Sequence, residues 1–83
     1  MYFVYILRSN KTGAFYKGHY SNIENRLAQH NAGETQSTKA GIPWQIVYVE
    51  EFNTHEEAIK REKYFKTAAG RRFIKFTLHL HPH

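Results

Sequence analysis

Two runs rich in aromatic and β-branched residues, Tyr2-Phe3-Val4-Tyr5-Ile6-Leu7 and Ala14-Phe15-Tyr16-Lys17-Gly18-His19-Tyr20, flank a short polar loop containing Gly13. Such side chains suit a pleated, half-buried surface, and a Gly-containing loop of this length turns the chain back on itself. The pair reads as a β-hairpin, on which the rest of the chain must pack. Ser21-Asn22-Ile23-Glu24 has the spacing of a capping box, and Gly33 a helix-ending position, so a helix is expected over about residues 22–32. Residues 34–43 are polar and punctuated by Gly and Pro, hence a loop; Gln45-Ile46-Val47-Tyr48-Val49-Glu50-Glu51-Phe52 is a third strand. Thr54-His55-Glu56-Glu57 is a second capping box and opens a helix to about residue 67, which Gly70 breaks before a short final segment at 71–78. The order ββαβα plus that segment predicts an α+β fold, a small three-stranded antiparallel sheet flanked by helices. It forms one domain over residues 1–78, with a tail at 79–83.

Size and composition narrow the functional classes. A chain of 83 residues buries only about 60% of its unfolded surface, which excludes a large multi-pocket enzyme. Without cysteine there is neither a disulfide framework nor a thiolate zinc site, and side-chain packing must hold the fold, in keeping with a reducing cytoplasm. The apolar N-terminal run is short and has no basic region before it, so it reads as a strand and not a signal peptide. No apolar run approaches the roughly 20 residues of a membrane span, and no membrane partner is expected.

The charge is unevenly spread. Of a net +5, seven cations (Lys60, Arg61, Lys63, Lys66, Arg71, Arg72, Lys75) fall within residues 60–75 beside one acid, Glu62. Clustering of this kind suits a polyanion, because each neutralised phosphate releases condensed counterions. The alternative is a solvated helix face in a basic protein.

Several polar residues share faces with core residues. Ile23, Leu27 and His30 follow helical spacing, and Arg26 lies on the same side. On the second helix, Glu62 falls inside the stripe of Ala58, Ile59 and Phe65. A carboxylate there needs pairing, hydrogen bonding or a metal to offset its desolvation. An ion pair with Arg26, or a head group reaching solvent, satisfies that need as well as a ligand role does. Tyr5 and Tyr16 lie inside the two hairpin strands, where their hydroxyls can meet; taken singly, each reads as a core aromatic.

Together, Val4-Tyr5-Ile6, Tyr16-Lys17-Gly18, Arg26-Leu27-Ala28-Gln29-His30-Asn31 and Glu57-Ala58-Ile59-Lys60-Arg61-Glu62-Lys63 resemble the GIY-YIG nuclease superfamily. The likeness is greatest to its short single-domain members, related to the N-terminal nuclease of the bacterial excision-repair C subunit. It implies a metal-dependent endonuclease of low sequence specificity, acting on nucleic acid, in the first place DNA, and linked to DNA repair. Residue by residue, it implies paired tyrosines at Tyr5 and Tyr16, a phosphate-facing Arg26, a site histidine at His30, and Glu62 as ligand to Mg²⁺ or Mn²⁺. Lys17, Lys60, Arg61, Lys63, Lys66, Arg71, Arg72 and Lys75 would grip the nucleic-acid backbone. After Gly18, where the family often has a small hydroxyl or a lysine, stand His19 and Tyr20. The rival expectation is a binding module that keeps the fold and its basic face without catalysis. The histidines of the tail at 79–83 are expected to take no part in a magnesium site, since imidazole prefers zinc, copper or nickel.

Overall fold

The computed structural model describes residues 1–21 and 23–79, the side chains of residues 23, 24 and 79 excepted. The hairpin strands β1 (Tyr2–Ser9) and β2 (Phe15–Tyr20) are followed by helix α1 (Ile23–Asn31), a 3-10 segment (Gln36–Gly41), strand β3 (Trp44–Phe52) and helices α2 (His55–Phe65) and α3 (Ala68–His79). The sheet is antiparallel in the order β2-β1-β3, so the first strand is central and the second is an edge. This is the expected α+β arrangement.

A central strand covered on both faces must be apolar on both, and Val4, Tyr5, Ile6 and Leu7 are each no more than 1% exposed. Val4 and Ile6 pack with Ala58, Phe65 and Ile74, which places α2 and α3 on one face. Tyr5 and Leu7 pack with Trp44, Leu27, Ile42 and Tyr16, so α1 and the 3-10 segment cover the other. The hairpin loop is closed by Ser9, whose Oγ accepts from the amides of Lys11 and Thr12 and donates to the Gly41 carbonyl. The α1 helix is tied to β3 by Asn31, whose amide group bonds both the N–H and the carbonyl of Trp44.

Local structure departs from expectation in three places. Residues 34–43 are not simply a loop: the 3-10 segment holds Thr38, 1% exposed, against the core, where its carbonyl accepts from the Trp44 indole. The second helix stops at Phe65, and the final segment is a full helix from Ala68. Gly70 lies inside that helix instead of breaking it. Its hydrogen lets the α3 backbone pass directly over the end of α2, where a Cβ would run into the Tyr64 carbonyl and the Phe65 backbone. At the second box Thr54 caps the helix, its Oγ1 accepting from the Glu57 amide and donating to Glu57 Oε1. The box expected at Ser21 to Glu24, and the tail beyond 79, lie outside the described residues.

Candidate functional site

Four of the expected residues meet on the face covered by α1. Arg26 Nε donates to the Tyr5 hydroxyl (3.3 Å), which lies 3.3 Å from His30 Nε2. His30 Nδ1 is 2.7 Å from Thr38 Oγ1. Because the Thr38 hydroxyl donates to the Thr35 carbonyl, it accepts from His30 Nδ1–H. Nε2 is then the bare nitrogen and accepts the Tyr5 proton. The chain runs in one direction, Arg26 to Tyr5 to His30 to Thr38, and requires a neutral imidazole. Its pKa agrees: burial, assisted by the Arg26 charge, lowers that of His30. Tyr16 closes the group, its ring 4.9 Å from that of His30 and 6.4 Å from that of Tyr5.

Electrostatics separate the roles. Burial raises the Tyr5 pKa, against the bond and charge of Arg26, so this phenol keeps its proton at neutral pH. Arg26 is held more firmly protonated, first by its bond to Tyr5 and then, against some desolvation, by both tyrosines. Its Nη1 donates to Gln29 Oε1, and its guanidinium lies over the Tyr20 ring. A guanidinium has five N–H donors in a rigid fork. Tyr5 and Gln29 take two of them, and Tyr16 hydrogen-bonds the same guanidinium.

Glu62 arrives from elsewhere. The strand register puts Gly18 beside Tyr5, and Lys17 and His19 beside Ile6 and Val4, on the face where α2 packs. From α2, Glu62 reaches the edge strand β2, with Oε1 2.5 Å from His19 Nδ1 and Oε2 accepting from Lys66 Nζ at 2.9 Å. The ion pair considered between Glu62 and Arg26 is replaced by these two contacts. Burial alone would raise the Glu62 pKa, but the bonds and charges of Lys66 and His19 leave it lowered, so the group is ionised at neutral pH. Of the four, Glu62 acts on Tyr5, through its field, which adds to the rise there. Gly18 makes this approach possible. A Cβ there would meet the Tyr5 hydroxyl at 2.5 Å, so glycine lets the ring lie across the edge strand.

The basic residues divide. Lys60, Lys63, Lys66, Arg71, Arg72 and Lys75 are exposed. Lys17 is half-buried, and desolvation together with the charges of Arg71 and Lys66 lowers its pKa. Arg61 turns inward instead. Its Nε and Nη2 bind both oxygens of Glu50 at 2.7 and 3.0 Å, and its guanidinium lies over the rings of Tyr64, Phe65 and Phe73. Thr38, Gln29 and Lys66 enter the site as supports that the sequence did not disclose in those roles. Of the supports, only His19 carried a signal, standing after Gly18 where the family often has a small hydroxyl or a lysine.

A small α+β sheet domain with two tyrosines and an arginine on one face and a carboxylate at its edge defines a class, and comparison with known proteins agrees. The GIY-YIG catalytic domain model matches residues 1–75. The chain is 39% identical over 75 residues to a UPF0213 protein of Staphylococcus saprophyticus, covering 89% of this chain and 90% of that one. It is 41% identical over 66 residues to one of Bacillus licheniformis (78% and 67% covered), and 36% identical over 66 residues to one of Listeria welshimeri (78% and 72%). No solved structure matches. The chain belongs to the GIY-YIG nuclease family, among its short single-domain UPF0213 members. Among the described residues, no helix is long and apolar enough to cross a membrane, and no group of three or more His, Cys, Asp or Glu is arranged to hold a metal ion.

Proposed function

We propose that this protein is a cytoplasmic endonuclease that hydrolyses phosphodiester bonds of nucleic acid, DNA in the first place, with little sequence preference and with Mg²⁺ or Mn²⁺. The observation that carries this reading is the meeting of Tyr5, Tyr16, Arg26 and His30, with an ionised Glu62 held by His19 and Lys66 on the α2 side of the sheet, its field reaching Tyr5. A pure binder gains nothing from a carboxylate next to phosphate.

The donor chemistry fits a hard divalent ion, because Mg²⁺ is commonly held by one or two carboxylates together with waters and phosphate oxygens. Glu62 would hold it, and the bound ion would offset negative charge gathering on phosphate and activate water. The rest falls to the chain. Arg26, fixed by Tyr5 and Gln29, would offer paired N–H donors to non-bridging oxygens. Tyr16 would assist removal of the water proton within the field of Arg26. Tyr5 or His30 would take that proton from Tyr16 next: Arg26 holds the Tyr5 oxygen, and the Tyr5 hydrogen points to His30 Nε2, so a proton arriving at Tyr5 can leave to His30. The exposed cations of α2 and α3 would hold the backbone alongside, while Arg61, bound to Glu50, lies outside that contact.

The rival reading, a non-catalytic nucleic-acid-binding module, draws on the ammonium of Lys66 already neutralising Glu62. A cleavage assay with Mg²⁺ over single-stranded, duplex and branched DNA and RNA separates the two. Wild type should cut at least one substrate and Glu62→Ala none. Binding without cutting across the panel selects the module.

A further inference from the structure

Three aromatic residues near the C-terminus have different fates. Phe65 and Phe73 stack on one another 5.9 Å apart, within the core and under Arg61. Phe76, on the same helix as Phe73, points outward and at 69% is the most exposed large hydrophobic side chain among the described residues. Among the described residues, no ring stacks on it. A single exposed apolar residue is ordinary on a protein surface; the setting of this one is not.

Helical spacing puts Arg72 one turn before Phe76 on the same side, with Lys75 next to it and Arg71 one turn before Lys75. All three cations are exposed, and α3 contains no acidic residue. A protein-binding hot spot is normally depleted of charge at its centre. An aromatic face set among cations has instead the composition of a single-strand platform, in which cations follow phosphates and the ring stacks on a base. The platform adjoins the site as well. The Arg71 charge acts on Lys17, and Lys66, which acts on the same lysine, is bonded to Glu62. Cations therefore run from the edge of β2 onto α3.

We propose that Phe76, with Arg72 and Lys75, is a stacking platform for an unpaired nucleobase, and that this protein takes substrates with a single-stranded segment next to the site. The inference rests on the nuclease reading for what happens at Glu62, but the platform itself is a binding site and is tested as one. A duplex keeps its bases stacked on one another and offers Phe76 none. A single strand does offer one, and base–aromatic stacking of this kind is worth about 5- to 150-fold in affinity.

The test measures anisotropy of a labelled oligothymidylate, an oligouridylate and a blunt duplex of equal length, with the full chain in EDTA so that no cleavage intervenes. Phe76→Ala should weaken single-strand binding by about 5- to 150-fold, leave duplex binding within about twofold, and leave the circular dichroism unchanged. Phe76→Trp should restore the single-strand affinity. Equal losses on single strand and duplex, or none on either, overturn the platform. So does a concentration-dependent dimer that Phe76→Ala abolishes in sedimentation, which would assign the ring to a contact between copies of this chain. A protein that never cleaves can still pass this test, and one that cleaves can fail it, so the two readings stand or fall separately.

Discussion

His19 Nδ1 lies 2.5 Å from Oε1 of Glu62, joining the edge strand to the helix that carries the expected metal ligand. The other oxygen of the carboxylate takes Lys66 Nζ at 2.9 Å. The two contacts oppose one another in function. Fixing Oε1 orients the carboxylate, and supports of this kind are typically worth 10–100-fold in metal affinity or rate. An ammonium at Oε2 competes with any other cation.

His19→Ala is therefore expected to lower the Mg²⁺-dependent rate by about 10- to 100-fold, and Glu62→Ala to abolish it. Lys66→Met should act the other way on the metal, reducing the Mg²⁺ concentration needed for half-maximal rate. Magnesium titrations of the three variants check this. A Lys66→Met protein that needs more Mg²⁺ would show that the lysine supports the site.

Tyr5→Phe removes one oxygen from the middle of a chain of four groups. Arg26 Nε loses its acceptor and His30 Nε2 its donor, the latter on a side chain that is 0% exposed. Leaving a buried polar atom unpaired costs about 1–3 kcal/mol. Urea denaturation should register that loss, and cleavage should fall with it. Tyr16→Phe, at the half-exposed partner, should reduce cleavage with a smaller change in stability. Equal stability losses for the two would place Tyr16 in the core.

These relationships were unequally legible in the sequence. The hairpin, the third strand and the second helix follow from alternation and capping, because local chemistry decides them. Helical spacing likewise put Arg26 and His30 on one face, and the resemblance supplied Tyr5, Tyr16 and Glu62. What escaped depends on contacts between distant segments. Gly70 is an ordinary helix breaker until the Tyr64 carbonyl lies beneath it. Thr38 sits in a polar stretch with no pattern, and acquires meaning only when Trp44 and His30 bond to it. Arg61 looked like one more cation of the basic run, and nothing local announced the Glu50 carboxylate on a neighbouring strand.

Acid should destabilise the fold in two stages. His30, Glu50 and Glu62 all have lowered pKa values. For each, stability is complete above the unfolded pKa and is lost as pH falls toward the folded one, because the unfolded chain takes up protons that the native protein refuses. The histidine stage begins below about pH 6.5 and the carboxylate stage below about pH 4.5. Urea midpoints from about pH 8 to about pH 3 should be level, then decline in two steps. His30→Asn should flatten the first decline while lowering stability throughout. A first stage that persists in His30→Asn belongs to another histidine.

Deleting residues 79–83 should leave Mg²⁺-dependent cleavage within a few-fold of the full chain, because Mg²⁺ prefers oxygen ligands and Glu62 supplies one, whereas imidazoles favour zinc, copper or nickel. Loss of cleavage on deletion, with Glu62→Ala still active, would move the metal to the tail.

Arg61, Lys60 and Lys63 are neighbours in sequence and should respond oppositely to substitution. Arg61 holds Glu50 through two bonds, and Tyr48 donates to the same carboxylate at 2.6 Å. The Arg61 and Glu50 side chains are only 28% and 23% exposed. Arg61→Ala leaves that carboxylate with the Tyr48 hydroxyl and no cation, takes the guanidinium off three aromatic rings, and should cost about 1–3 kcal/mol of stability, with little change in the salt dependence of DNA binding. Lys60 and Lys63 are exposed and hold no ion pair among the described residues. Alanine at either should change stability by less than about 0.5 kcal/mol and reduce the slope of log affinity against log salt by about one. Denaturation midpoints and anisotropy titrations between about 50 and 200 mM salt separate the two behaviours. If Arg61→Ala lowers the salt slope as much as Lys60→Ala does and leaves stability untouched, its pairing with Glu50 is too weak to keep it from phosphate.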